Sequence, residues 1–249
     1  MMDNGFGRTE FLFRGYSYLN AISARVVEIN ELGGIVLDRT NFYATSGGQP
    51  GDFGCLESAS GDKTQIATTI HPNGEKLEIV HVPADGQILP NVGDEITCHI
   101  DWDNRYNLMR MHTALHLLSV VIPLPVTGGS IGAIKGRLDF QMPEPPEDKD
   151  ALADQLNALI ARELDVTEEW ISEAELAANP ELVKTMTVKP PSGQGEIRMI
   201  RISDGEQTID WQPCGGTHVN NTREIGKIRF GKVEKKGKIN RRVAIHFDE

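Results

Sequence analysis

Residues 95–125 read EITCHIDWDNRYNLMRMHTALHLLSVVIPLP. As far as Ile100, apolar Ile96, Cys98 and Ile100 alternate with Thr97 and His99, the period of two of a half-buried strand. From Asp101 the period changes. Leu108, Met111, Leu115, Leu118 and Ile122 fall on one stripe at helical spacing; Asp101 or Asp103 can cap its start, and Pro123 and Pro125 stop it. Strand chemistry therefore gives way to helix chemistry near residue 101, which predicts two domains, 1–101 and 102–249.

Working outward toward the N-terminus, residues from about Asn20 to Asp101 read as short strands between turns. Ile22, Ala24, Val26 and the run Gly34–Leu37 are strand-like, and glycine pairs at Gly51, Asn73 and Asp85 punctuate them. No useful helical period occurs there. Short antiparallel strands hide their edges best by closure, so a small β-barrel is expected. Toward the C-terminus, a Pro-rich acidic connector (Pro143, Pro145, Pro146, Glu147, Asp148) precedes a helix with Leu152, Leu156, Leu159 and Ile160 on its apolar face. Glu173–Ala178 is a candidate third helix. Strands are then expected at Glu196–Ile202, Gln207–Trp211, Ile225–Val233 and Arg242–Phe247, with the last hairpin turning at Lys236-Gly237-Lys238. Strands, then helices, then strands describe an α+β fold rather than βαβ winding.

The chain has 249 residues and a formal net charge of −11. Met1–Arg14 mixes charged residues among apolar ones, so neither a secretory leader nor a membrane span is expected. Three cysteines are an odd number and too few for a disulfide scaffold, which points to reduced thiols and a cytoplasmic protein. An acidic chain is a poor general binder of nucleic acid. The charge is uneven, however. Thr222–Arg242 carries nine basic side chains against two acids, a segment of +7 that leaves −18 for the rest. Lys235, Lys236, Lys238, Arg241 and Arg242 form either a solvated hairpin surface or the place where an RNA lands.

His112 and His116, at i and i+4, share one helix face and can converge on one ion. Alone, that spacing equally describes two packing histidines. Cys214-Gly215-Gly216-Thr217-His218 adds a compact chelating loop, in which Pro213 and the glycines place the cysteine on a turn and let a substrate approach the backbone. Three imidazoles and a thiolate form a plausible donor set for Zn²⁺. Four protein ligands close a tetrahedral structural site, whereas a hydrolytic ion keeps a position for water; the sequence admits both. Asp210, four residues before Cys214, is either an acceptor that orients a ligand histidine or a strand-end carboxylate in water.

The segments HTALHLL at 112–118 and CGGTHV at 214–219 resemble the two zinc motifs of the alanyl-tRNA synthetase editing domain and its free-standing AlaX homologues. Thr40-Asn41-Phe42-Tyr43 followed by Gly47-Gly48-Gln49-Pro50-Gly51-Asp52 resembles the family's T-x-F-Y…G-G-Q-P-x-D stretch. Gly129-Ser130 with Arg137-Leu138-Asp139-Phe140, and Asn221–Gly226 with Arg242, resemble two further segments. The likeness runs from about Val26 to Phe247. Two positions depart from it: Ala44-Thr45-Ser46 stands where the family has Pro-Glu-Gly, and Thr127 where the synthetase has a Gln three residues before the serine.

The resemblance implies a β-barrel-like N-terminal domain and an α+β editing domain whose sheet packs around the zinc helix. It implies deacylation of Ser-tRNA(Ala), with Gly-tRNA(Ala) as a further candidate, and no ATP-dependent activation domain. The zinc ligands His112, His116, Cys214 and His218 would carry the catalysis. Thr40, Gly47, Gly48, Gln49, Gly129, Ser130, Gly215 and Gly216 are candidate substrate contacts. Two other readings stand beside this one: threonyl-type editing of Ser-tRNA(Thr), and a non-catalytic zinc module that binds RNA. Oligomeric state is left open.

Overall fold

The computed structural model describes residues 9–72, 77–185 and 195–248. The Asn73 turn and the first eight residues lie outside them. Two compact units are present. One runs to Ser46 and from Pro50 to Arg105; the other holds Gly47–Gln49 and everything from Tyr106.

The first unit contains β1 (Glu10–Phe11), β2 (Ala21–Ile29), β3 (Ile35–Leu37), β4 (Arg39–Thr40), β5 (Gly54–Ser58), β6 (Lys63–Ile70), β7 (Val80–Pro83) and β8 (Glu95–Ile100). Six of them close a barrel in the order β2-β3-β7-β6-β5-β8, while β1 and β4 form a short parallel pair. The alternation at Ile96, Cys98 and Ile100 does what its period dictates. All three point into the barrel beside Val26, Ile35, Leu37, Leu56 and Ile66. Closure leaves no strand edge unpaired within the barrel.

The first unit also holds a buried ion pair. Asp52 accepts the Arg105 Nε at 3.0 Å on both oxygens, bonds the guanidinium again through Nη2, and accepts Tyr43 N at 2.6 Å. Arg105 also donates to Asn41 O at 2.7 Å and Ser17 O at 3.1 Å. Both side chains are withdrawn from solvent. Removing one partner of such a pair strands the other charge, at a cost of about 3–5 kcal/mol. Asp52→Asn is therefore expected to lower the unfolding free energy by about that amount, read as a lower denaturation midpoint; an unchanged midpoint would show that the pair contributes nothing.

Helix α1 (Trp102–Val121) starts at Asp101, whose carboxylate accepts Asn104 N at 2.9 Å. It continues into the second unit, which adds β9 (Val126–Ser130), β10 (Lys135–Gln141), α2 (Lys149–Ile160), β11 (Asp165–Ser172), α3 (Glu173–Ala178), β12 (Glu196–Ser203), β13 (Thr208–Pro213), β14 (Ile228–Lys236) and β15 (Asn240–Phe247). One sheet has the order β14-β15-β10-β9 and the other β11-β12-β13. Asp148 caps α2 and Ser172 caps α3. The β14–β15 hairpin turns at Gly237, φ +76°. No helix among the described residues is long and apolar enough to cross a membrane.

Two features differ from the periodicity reading. α1 carries more than one apolar stripe: every residue from Met111 to Ser119 is buried. At Gly136 of β10 an added Cβ would stand 2.7 Å from Met111 Sδ, so strand and helix meet there with nothing between them. The strands β9, β10 and β11 carry no clean alternation, because β9 is glycine-rich and β11 has Glu168-Glu169 at its middle.

Candidate metal centre

α1 delivers His112 and His116, one turn apart, and the segment after β13 delivers Cys214 and His218. One donor atom from each lies within 4.8 Å of all the others. Cys214 Sγ is 3.5 Å from His112 Nε2 and 3.3 Å from His218 Nε2.

The outer ring nitrogens explain this convergence. His116 Nδ1 donates to Asp210 Oδ2 at 2.9 Å. His218 Nδ1 donates to Thr113 Oγ1 at 3.1 Å, since the Thr113 hydroxyl already gives its own proton to Met109 O at 3.0 Å. His112 Nδ1 donates to Gln49 Oε1 at 3.1 Å. That amide cannot be turned over, because Oε1 also accepts Thr217 N at 3.1 Å while Nε2 donates to Thr217 Oγ1 at 2.8 Å. Each imidazole thus holds a proton outward on Nδ1 and presents Nε2 to the common centre. This is the supporting shell that metal-binding histidines need. Three inward nitrogens and a sulfur, all buried or half-buried, repel one another unless a cation or protons lie between them. The donor set fits a metal ion.

The electrostatics agree. Burial opposes ionisation of Cys214, but the neighbouring His112 and His218 outweigh it and hold the thiol well below its usual range. Burial also works against charge on His116; hydrogen bonds to Asp210 and Cys214 overcome it and push the imidazole up to about 9. Burial and the adjacent His112 drive His218 well below its usual value. Asp210, buried yet bonded to His116 and to Lys184 Nζ at 2.5 Å, is held at about 2. A divalent cation would compete with protons for these donor atoms.

The loop is not built as the glycines suggested. Pro213 ends β13, paired with Met199, and Cys214 N donates to Arg198 O at 3.1 Å, so the cysteine is held directly after the last strand residue. Neither Gly215 nor Gly216 has a left-handed backbone. Gly216 is required by crowding: a Cβ there would lie 2.3 Å from His112 Cε1 and 2.8 Å from Gln49 Oε1. Gly215 faces open space. Sequence reasoning passed over Arg198, whose Nη1 donates to the carbonyls of Cys214 (3.0 Å) and Gly216 (2.9 Å) and clamps the loop from behind. It also missed Thr113 and Lys184. An isolated Thr inside a helix or Lys inside a loop carries no spacing signal.

Among the candidate substrate contacts, Gly47 and Gly48 have φ of +57° and +85°, which turns Gln49 toward His112. At Gly48 a Cβ would stand 3.1 Å from Gly129 O and 3.6 Å from Ser130 Cα, and Gly48 O accepts Ile131 N at 2.8 Å. Gln49 and Gly216 thus lie against His112, and Gly48 lies against Gly129 and Ser130. Thr40 lies in the barrel unit, wholly buried. His81, pushed down to about 4 by burial, is neutral; its Nδ1 donates to Ile35 O, so its Nε2 accepts the Thr40 hydroxyl at 2.8 Å. Thr40 Oγ1 in turn accepts Phe42 N at 3.0 Å. Of the basic candidates, Lys235, Lys236 and Lys238 are exposed around the hairpin turn. Arg241 is buried and donates to the carbonyl of Pro143, and Arg242 forms a two-pronged pair with Asp139 at 2.7 and 2.8 Å. Both guanidinium groups are turned to protein acceptors instead of solvent.

Comparison with known proteins gives this cluster its context. The family described as the threonyl and alanyl tRNA synthetase second additional domain matches residues 197–244, and that described as class II (A) tRNA synthetases matches residues 16–104. The alanyl-tRNA editing protein AlaX-M of Methanosarcina barkeri is 35% identical across 94% of this chain and 97% of its own length. AlaX-L of Pyrococcus horikoshii is 32% identical over 89% of this chain and 54% of its own length, and the alanine–tRNA ligase of Pyrobaculum calidifontis 34% identical over 92% and 25%. Likeness from end to end with a protein of matching extent shows that this chain belongs to the AlaX family.

Proposed function

We propose that this chain hydrolyses the aminoacyl ester of mischarged tRNA(Ala), releasing the amino acid and a free tRNA 3′ end, with Zn²⁺ held by His112, His116, Cys214 and His218. One observation carries the reading: three imidazoles locked outward by Gln49, Asp210 and Thr113 aim their Nε2 atoms, with Cys214 Sγ, at one point. Zinc suits three nitrogens and a thiolate, and when bound it supplies Lewis acidity for an ester carbonyl or an attacking water. The chain's own groups do the rest. Gly215, exposed and uncrowded, admits the ester to the cluster. Because Arg198 holds the Cys214 carbonyl, the N–H of Gly215 across the same trans peptide faces the opposite way and is a candidate donor to the developing oxyanion.

Serine exceeds alanine by a hydroxyl, so a site wide enough for serine discriminates by rewarding that group. We propose Thr40 as the reader. Its proton is committed to His81 and one lone pair to Phe42 N, which leaves one acceptor lone pair for a serine O–H. Expected is rapid deacylation of Ser-tRNA(Ala), slower deacylation of Gly-tRNA(Ala), and little action on Ala-tRNA(Ala). Thr40→Ser should keep the serine-to-alanine ratio and Thr40→Val should lose it, both with metal retained. An unchanged ratio in Thr40→Val moves the readout to Gln49 or Ser130. Ser-tRNA(Thr) belongs in the same assay, since the family matched at residues 197–244 spans both synthetases. A metal-replete protein inert on every mischarged tRNA would instead be a binding module.

A further inference from the structure

We propose that the tRNA phosphate backbone docks on the open face of the β9–β10–β15–β14 sheet, gripped chiefly by Lys135 and Arg229; this rests on the editing reading above. Strand register defines the face. Gly136 of β10 packs on Met111 and Leu115 of α1, so the even positions of β10 point inward and Lys135, Arg137, Asp139 and Gln141 point out. Opposite them on β15 stand His246, Ala244, Arg242 and Asn240, and beyond these on β14 Arg229 faces His246, Glu234 faces Arg242, and Lys236 faces Asn240. Five Lys and Arg side chains and two carboxylates thus share one face of a protein whose net charge is −11.

The charges are also sorted along it. At the hairpin end Asp139 holds Arg137 and Arg242, and Glu234 lies 3.5 Å from Lys236. At the other end the row Lys135–His246–Arg229 contains no acid. Burial lowers the His246 pKa, and the neighbouring charges of Arg229 and Lys135 lower it further. Among the described residues Arg229 pairs only with Asp248, at 4.0 Å, and Lys227 takes that carboxylate at 3.1 Å. Among the described residues Lys135 makes no ion pair. Two exposed, weakly compensated cations flanking His246 form a seat for an anion. A polyanion rather than a single ion fits, because the face continues through Arg137 to its cross-strand neighbour Ser130, and Ser130 stands beside Gly48 next to the metal cluster. A strand of phosphates lying along this path leads the 3′ end toward Gly215.

The test compares Lys135→Gln/Arg229→Gln with Lys235→Gln/Lys236→Gln/Lys238→Gln. Uncharged tRNA(Ala) binding is measured over a KCl series, and deacylation is measured on mischarged tRNA and on a short aminoacylated oligonucleotide. The double variant is expected to bind tRNA about tenfold or more weakly, with a salt slope lower by about two, one per lost phosphate contact. It should lose activity on full tRNA, keep it on the oligonucleotide, and keep its metal. The triple variant removes more charge, so a smaller loss there excludes a net-charge effect. A double variant with wild-type affinity and slope, or a triple variant that loses more, overturns the docking face. Wild-type protein that binds tRNA through this face but hydrolyses neither substrate leaves the surface standing and overturns the editing reading.

Discussion

Cys214→Ala is expected to leave a folded protein with little metal and a deacylation rate at least about 100-fold below wild type. The thiolate is the only anionic donor in the set, and its sulfur lies 3.3 and 3.5 Å from two of the ligand nitrogens. Without it, a divalent ion faces three neutral imidazoles and a vacancy. Loss of an outer-shell partner alone typically costs a metal site 10–100-fold in affinity or activity, so loss of a charged ligand costs more. The fold should survive, because the cysteine side chain is half-buried and its neighbours are fixed from outside by Asp210, Thr113, Gln49 and Arg198. Cys55→Ala on β5 is the matched control and should keep wild-type metal content. Elemental analysis and single-turnover deacylation read both variants. A Cys214→Ala protein with wild-type zinc and rate would sink the assignment of the cluster, as would freshly purified wild type containing no metal.

Some of this was legible in the sequence and some was not, for reasons that differ by residue. The barrel was legible because burial on one side imposes a period of two, as at Ile96, Cys98 and Ile100, and α1 because Leu108, Met111 and Leu115 keep a helical spacing although burial later closes round the helix. The ligand candidates were legible because a helix turn and a four-residue loop have fixed reach. Strands β9 and β10 carry recognisable motifs but no strand period, since Gly128, Gly129 and Gly136 erase the alternation where backbone must come close to backbone or helix. Most of the supporting shell was invisible. Gln49 reaches Thr217 across 168 residues, and Lys184 reaches Asp210 from a loop with no pattern of its own. Only Asp210 had a positional clue, its closeness to Cys214. At Gly216 the sequence shows that a side chain is missing, but not that His112 and Gln49 leave no room for one.

Gly215 and Gly216 should separate metal binding from substrate access. In Gly216→Ala the new methyl group would sit 2.3 Å from His112 Cε1, 2.6 Å from its Nδ1 and 2.8 Å from Gln49 Oε1. None of these atoms can yield cheaply. His112 is buried on a helix closed in on all sides, and Gln49 is tied to Thr217 through both amide atoms. The imidazole must swing off Gln49 or the loop must lift, and either change removes a donor from the centre. Metal affinity is expected to fall by roughly 10–100-fold, the range seen when the group that orients a ligand is lost. Gly215→Ala is the opposite case. Its backbone has no left-handed strain and a Cβ meets nothing within 4 Å, so stability and metal content should match wild type. If the ester enters over Gly215, the added methyl group occupies that path, and deacylation should drop about tenfold or more, since reacting groups held even an ångström out of place lose much of their rate. Metal content by elemental analysis and rate on Ser-tRNA(Ala) therefore give opposite signatures for two adjacent residues. Full activity in Gly215→Ala would move the substrate to another side of the cluster, and full metal affinity in Gly216→Ala would mean that His112 is not held where its hydrogen bond to Gln49 places it.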